Sequence, residues 1–432
     1  MSNPPIDHGS IAATTIHWYN SKQNTWTIQQ NPNSKQWNGW DATNATPITE
    51  TQHSSSYRPW SKTLCVKNAP FFKWFVDGFT NAAFNECDRH LLAKNGANTA
   101  FILEPTSNYI SSHCTYRDLF LESSLAASCL TALGLTKGAR VVLLGPNTLD
   151  QTIWIQGAKR IGCPVSCLPE GVSVETLVSR VCSLGALVVY ISIGSSSTLN
   201  PKLITALRKM KEVQIVVGGI LHTNDSATGG EAATSSIPST SSIPFMPSIQ
   251  DRQQTSNPPK GCHDAAVLRQ QAFTRLSSTN AATDATITSA NTSNAAIQSS
   301  FERSLKESSD IELIQIIWNS IGAPLPVESN YPLFIAFTSG STGKPKGLVH
   351  SHGTMASICY TLSYSFGVQL PIFVSEKETK QKRIQQNKTE TNTIQPIEPL
   401  KKSPTTETTK ENNTTPNNTT SPPLPPPPSK DI

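Results

Sequence analysis

Three short runs of aliphatic and β-branched residues stand out along the chain: VVLLG from Val141, ALVVYISI from Ala186 and VQIVVGGI from Val213. Their apolar positions do not alternate with polar ones, the pattern of strands covered on both faces. Helix-like stretches separate them. Leu149, Ile153, Gly157 and Ile161 recur every fourth residue, which makes one apolar or small stripe to lay on a sheet. An earlier helix is predicted to start at Thr115, where Thr-Tyr-Arg-Asp has the form of a capping box with Asp118 in place of the usual Glu, and to end at Gly134. A third is predicted over 174–184. Strands alternating with helices predict an α/β fold built on a doubly wound parallel sheet. Further along, DIELIQIIWNSIG from Asp310 has a helical pattern, and YPLFIAFTSG from Tyr331 is a strand running into a Gly-rich turn.

Composition divides the chain further. Residues 1–56 are polar and irregular, with Trp18, Trp26, Trp37 and Trp40 available to pin the segment onto a neighbouring surface. The globular pattern occupies 57–221 and returns over 310–370. Between them, 222–309 is dominated by Ser, Thr, Ala, Asn and Gln, too poor in large apolar groups to offset the entropy of ordering, and a disordered insertion is expected. Residues 371–432 are rich in Lys, Thr and Asn and close on SPPLPPPPS. That tail is expected to have no fold of its own, with a polyproline II ending suited to SH3-like or WW-like partners.

A formal charge of +5 with 15% charged residues gives no field strong enough to imply nucleic acid or an anionic membrane as the main partner. The nine cysteines form no Cys-x-x-Cys pair, and no His cluster has metal-ligand spacing, so neither a metal site nor a disulfide framework is expected. The first residues lack the basic start and apolar core of a secretory signal, and no apolar run is long enough to span a bilayer. A soluble cytoplasmic protein is the expectation.

The chemistry is concentrated in FTSGSTGKPKG, Phe337 to Gly347, where three glycines, four hydroxyl residues and two lysines share eleven positions directly after a strand. Gly340, Gly343 and Gly347 allow backbone N–H groups to approach and surround an anion, Thr338, Ser339, Ser341 and Thr342 add hydroxyl donors, and Lys344 and Lys346 can neutralise phosphate. A Walker A loop needs Ser or Thr after Gly-Lys, whereas Gly343-Lys344 is followed by Pro345. Kinase and GTPase readings of the loop fail on that residue.

The loop resembles instead the phosphate-binding signature of the adenylate-forming superfamily, Thr-Ser-Gly-Ser/Thr-Thr-Gly-x-Pro-Lys-Gly, at every position. YRPWSK, APFFKWFVDG, TNAAFNECDRHLL, TYRDL, LGLTKGARVVLLGPN, AKRIGCPVSC and GVSVETLVSRVCSLGALVVYIS, with VHSHG after the loop, resemble the first subdomain of AMP-forming acetyl-, propionyl- and 3-hydroxypropionyl-CoA synthetases. The resemblance implies a ligase that joins a small carboxylic acid to CoA through an acyl-adenylate, using ATP and Mg²⁺, with residues 338–347 on the β- and γ-phosphates. It also places Gly171, in PEGVS, at the second glycine of a Gly-Gly-Phe-Ser motif near the CoA channel, with Glu170 and Val172 in place of the first Gly and the Phe. By the same resemblance Trp74, Phe75 and Arg89 are packing and ion-pair residues, and His350 and His352, which sit beyond the loop, are read as structural. The adenine, hinge and C-terminal lysine motifs that such enzymes carry after the loop are not found in this sequence, so the chain is expected to be truncated and inactive alone. The alternative is a synthetase-derived binding protein that docks partners through its Pro-rich tail.

Overall fold

A computed structural model of the chain describes residues 8–29, 36–48, 57–103, 112–193, 200–219, 262–283, 294–338 and 345–368. The N-terminal part starts with helix α1 (His8–Thr15) and the strands β1 (Trp18–Asn20), β2 (Thr25–Gln29), β3 (Trp37–Asp41) and β4 (Pro47–Ile48). A hairpin of β5 (Lys62–Cys65) and β6 (Lys73–Val76) follows, then β7 (Phe79–Thr80), a π-helical turn (Phe84–Asp88), the short helix α2 (Arg89–Leu92) and a hairpin of β8 (Thr99–Leu103) with β9 (Ser112–Thr115). The lead-in expected to be irregular is thus largely ordered. Its tryptophans explain why: Trp18 and Trp26 have no exposed surface, Trp18 Nε1 donates to the Ala12 carbonyl at 2.9 Å, and Trp26 stacks on Phe84 with centroids 4.0 Å apart. Rings of this size supply enough buried area to hold two- to five-residue strands that would be marginal alone.

The central layer follows in sequence as helix α3 (Tyr116–Ala132), β10 (Arg140–Leu144), α4 (Leu149–Arg160), β11 (Val165–Leu168), α5 (Val174–Leu184), β12 (Ala186–Ile193), α6 (Pro201–Arg208) and β13 (Gln214–Gly219). After it come β14 (His263–Asp264), α7 (Ala265–Thr283), α8 (Asn294–Glu307), α9 (Asp310–Ser320), β15 (Val327–Glu328), β16 (Pro332–Thr338), β17 (Lys346–Ser351) and α10 (Thr354–Phe366). Seven strands pair in the order β14-β13-β12-β10-β11-β16-β17. All neighbours are parallel except β16 and β17. The returning strand β15 instead joins β7 at the edge of the N-terminal antiparallel sheet, ordered β15-β7-β1-β2-β3-β4.

Residues of one strand face two cores. Val141, Leu143, Val188, Tyr190 and Val216 pack with Leu125, Ile153, Phe273 and Leu313, from α3, α4, α7 and α9. Their neighbours Val142, Leu144, Val189, Ile191 and Val217 pack with Leu177, Val181, Leu203 and Leu207, from α5 and α6. Helices on both faces make the sheet doubly wound, as the uninterrupted apolar runs predict. Thr115 caps α3 in a complete capping box with Asp118. Gly157 lets α4 lie against α3, because a Cβ there would come within 2.7 Å of the Ala126 Cβ.

The insertion expected to be disordered over 222–309 needs correction in its second half. Residues 262–283 and 294–309 form β14, α7, α8 and the cap of α9, packed onto α3 and α9. Ala265, Leu268, Ala272 and Leu276 repeat with helical spacing inside the polar composition, and Phe273 is 1% exposed. Arg269 adds a nearly buried ion pair to Glu122, its Nε donating to Oε2 at 2.5 Å. Averaging composition over the whole insertion hid this short apolar stripe. The rest of that insertion, 222–261 and 284–293, and the Lys/Thr/Asn-rich and Pro-rich tail, 371–432, lie outside the described residues.

Candidate functional site

The Gly-rich loop is carried by the β16–β17 hairpin. The two strands pair from Pro332↔Ser351 to Phe337↔Gly347 and Thr338↔Lys346. β16 is tied to the parallel sheet by the Val165↔Phe334 pair with β11 and by Ser166 Oγ, which donates to the Ile335 carbonyl at 2.8 Å. Because β16 runs parallel to β11, the loop leaves the sheet at the carboxyl edge, where open α/β sheets bind their ligands.

Of the ten residues singled out in the sequence, Thr338, Lys346, Gly347 and Gly171 are described, whereas Ser339, Gly340, Ser341, Thr342, Gly343 and Lys344 lie outside the described residues. Thr338 and Lys346 face each other at the mouth of the loop, both exposed, and Thr338 Oγ1 donates across it to the Lys346 carbonyl at 3.5 Å. Gly347 sits under a ring: a Cβ there would meet Phe337 Cε1 at 3.5 Å and Ile335 Cγ2 at 3.4 Å. These are ordinary van der Waals distances, so Gly347 is in packing contact with the ring and no steric demand from the stem calls for glycine there. Gly171 lies just beyond the end of β11, on the same carboxyl edge, in an exposed turn where a Cβ would meet nothing within 4 Å. No steric demand at that turn calls for glycine.

One residue that sequence reasoning did not single out lies against the hairpin. Arg180 of α5 is 9% exposed, and its guanidinium carbon lies 3.9 Å from the centroid of the Phe337 ring. Sequence proximity offers no signal for this contact, because α5 and β16 are far apart along the chain.

The residues read as structural are placed in packing roles. Phe75 is 2% exposed and packs on Trp18 and Trp60. The Trp74 amide donates to Asn330 Oδ1 at 3.0 Å, and Arg89 Nη1 donates to the Thr15 carbonyl at 2.7 Å. His350 stacks on Phe334 with centroids 4.3 Å apart. His352 is 1% exposed and its Nδ1 accepts the Ala82 amide at 3.0 Å, a bond that requires the neutral ring. Burial, then the positive charges of Lys159 and Lys137, push the His352 pKa down to about 3. These residues lock the N-terminal sheet to the hairpin and hold its base. Among the described residues no group of three His, Cys, Asp or Glu could hold a metal ion, and no helix is long and apolar enough to cross a membrane.

The profile of the AMP-binding enzyme family matches residues 89–379, more than half of the chain. An acetyl-coenzyme A synthetase of Ralstonia pickettii is 29% identical over 302 residues, covering 70% of this chain and 35% of that protein. Its counterpart in Burkholderia thailandensis is 29% identical over 312 residues, covering 72% and 36% respectively. Acetoacetyl-CoA synthetase from Streptomyces lividans is a structural neighbour with a TM-score of 0.46 at 14% identity, covering 72% of this chain and 36% of that one. The chain spans about a third of the length of the curated relatives it matches. On the extent of the profile match, this chain belongs to the AMP-binding enzyme family.

Proposed function

We propose that the chain carries the ATP-phosphate-binding part of an AMP-forming acid–thiol ligase acting on a short-chain carboxylate such as acetate, propionate or 3-hydroxypropionate. In that reaction the carboxylate attacks the α-phosphate of ATP, pyrophosphate leaves, and the CoA thiol then displaces AMP from the acyl-adenylate. Both nucleophiles belong to substrates. The protein's part is to hold the phosphates in line and to stabilise charge as it moves onto the leaving pyrophosphate, which is electrostatic and positional catalysis.

The observation that carries this reading is the placement of the loop, with Thr338 and Lys346 set opposite each other by strand register at the carboxyl edge of a parallel sheet. An exposed ammonium at the mouth, beside a run of glycines and hydroxyls, suits the β- and γ-phosphates of ATP. Mg²⁺ takes hydroxyl and phosphate oxygens, so it fits as a companion of the triphosphate, with Thr338 as the described hydroxyl at that mouth. Gly171, on the same edge, is the candidate contact for CoA.

Equilibrium titration of the full chain with Mg-ATP tests the assignment. The unsubstituted chain is expected to bind, and Lys344→Ala and Lys346→Ala are each expected to weaken binding about tenfold, the size of a lost charge-assisted contact. Acid-dependent release of pyrophosphate, with the short-chain acids supplied in turn, reads the chemical step. Failure of the folded chain to bind Mg-ATP, or equal binding by both lysine variants, overturns the reading.

A further inference from the structure

Three residues, one from each strand of the hairpin and one from α5, form one stack. The Phe337 ring rests on the Cβ-less surface of Gly347, its cross-strand partner, and the Arg180 guanidinium covers the ring. Gly347 and Phe337 lie one residue inside the Lys346↔Thr338 pair that closes the loop mouth. The stack therefore fixes both stems of the loop at the same level. Ser166 ties the other side of this stem to β11, so β16 is held from the sheet and from α5 together.

We propose that Arg180 is a positioning residue for the loop: its guanidinium clamps Phe337 onto Gly347, and so sets the spacing of the two loop stems to fit a polyphosphate. This rests on the phosphate-loop reading above. Arginine suits the place for two reasons. Its planar group lies flat on an aromatic face, where the ring quadrupole attracts a cation, and the attraction grows as water is removed. It also brings a nearly buried positive charge against the hairpin stem, on the ring of Phe337. A bound polyanion would gain from that charge through a medium that screens it less than water does. A helix-packing residue with no electrostatic part would be met equally well by an apolar side chain of the same length.

The experiment compares full-length Arg180→Met, Arg180→Lys and Phe337→Leu with the unsubstituted chain, measuring the affinities for Mg-ATP and for AMP and the amide hydrogen exchange of residues 332–338 and 346–351. Arg180→Met is expected to weaken Mg-ATP about tenfold, in line with a desolvated cation–π contact, with AMP unchanged, and to speed exchange in both stems. Arg180→Lys is expected to restore part of the loss. Phe337→Leu, which leaves the arginine in place, is expected to lower the same ATP-to-AMP ratio, and it keeps the test alive if the methionine variant fails to fold. A lost preference for ATP together with faster stem exchange supports the clamp. An unchanged ATP-to-AMP ratio in Arg180→Met, while the unsubstituted chain binds Mg-ATP, overturns the role of Arg180 and leaves the phosphate loop standing. Absence of Mg-ATP binding in the unsubstituted chain overturns the phosphate-loop reading itself and the role drawn from it.

Discussion

Asp88 is fully buried and is answered from three sides, by Arg160 Nη1 at 2.5 Å, Arg160 Nη2 at 3.1 Å and Trp318 Nε1 at 3.0 Å. Burial pushes its pKa up, and the adjacent arginine opposes that shift. Removing the arginine leaves a carboxylate in the core with Trp318 as its side-chain donor and no countercharge from Arg160, so Arg160→Met is expected to cost about 3–5 kcal/mol, read as a lower denaturation midpoint at unchanged slope. A loss below about 1 kcal/mol would mean that water reaches Asp88. The pair was not legible in the sequence, because Asp88 and Arg160 stand in different segments and each has the composition of a surface residue. The Thr115–Asp118 box was legible, since a capping box is written within four consecutive residues and its geometry is local. The same contrast divides the candidate site. Thr338 to Gly347 announce themselves by proximity, while Arg180 enters through a tertiary contact.

At the level of elements, helix α7 shows how a polar composition can carry a core helix. Its anchor is Phe273, 1% exposed and packed in the same core as Leu276 and the sheet, with Arg269 pinned to Glu122 alongside. Phe273→Ala is expected to destabilise the protein by about 3–5 kcal/mol, and proteolysis of residues 262–283 is expected to accelerate with it. Wild-type stability in that variant would make α7 an appended helix rather than part of the core. Helix α4 and strands β10, β12 and β13 fell where the apolar pattern put them, and α3 started where its capping box put it. The antiparallel strands β1 to β4 did not, since strands this short carry too few residues for a period to emerge.

On the scale of the whole molecule, three wholly or partly buried histidines held neutral make the fold sensitive to acid. Burial, then Arg89, pushes His90 down to about 3, as burial does for His352, and His17 is driven well below its ordinary value, first by burial and then by Arg89. Unfolded histidines take up a proton near pH 6.5 and these folded ones do not, so the unfolded state binds more protons below that pH. Their stabilising contribution is complete above about pH 6.5 and is lost as pH falls below it, for His90 and His352 down to about 3, at about 1.4 kcal/mol per pH unit for each of these two. Denaturant midpoints are expected to fall between about pH 7 and about pH 5, and the fall is expected to be shallower in His352→Gln; equal midpoints at both pH values would contradict this account.

The N-terminal sheet is closed from far along the chain. β15 pairs with β7, Ser329 donates its amide to the Gly78 carbonyl, the Ala82 amide reaches His352 across 270 residues, and His8 stacks on Tyr360. During synthesis, the tryptophan-bearing strands emerge first and wait for these partners. At about 5–20 residues per second the wait lasts roughly 15–50 seconds. For that interval the ribosome presents a sheet with one edge and one face uncovered, so a chaperone that shields aromatic surface is expected to matter more for the yield of this protein than the stability of the finished fold.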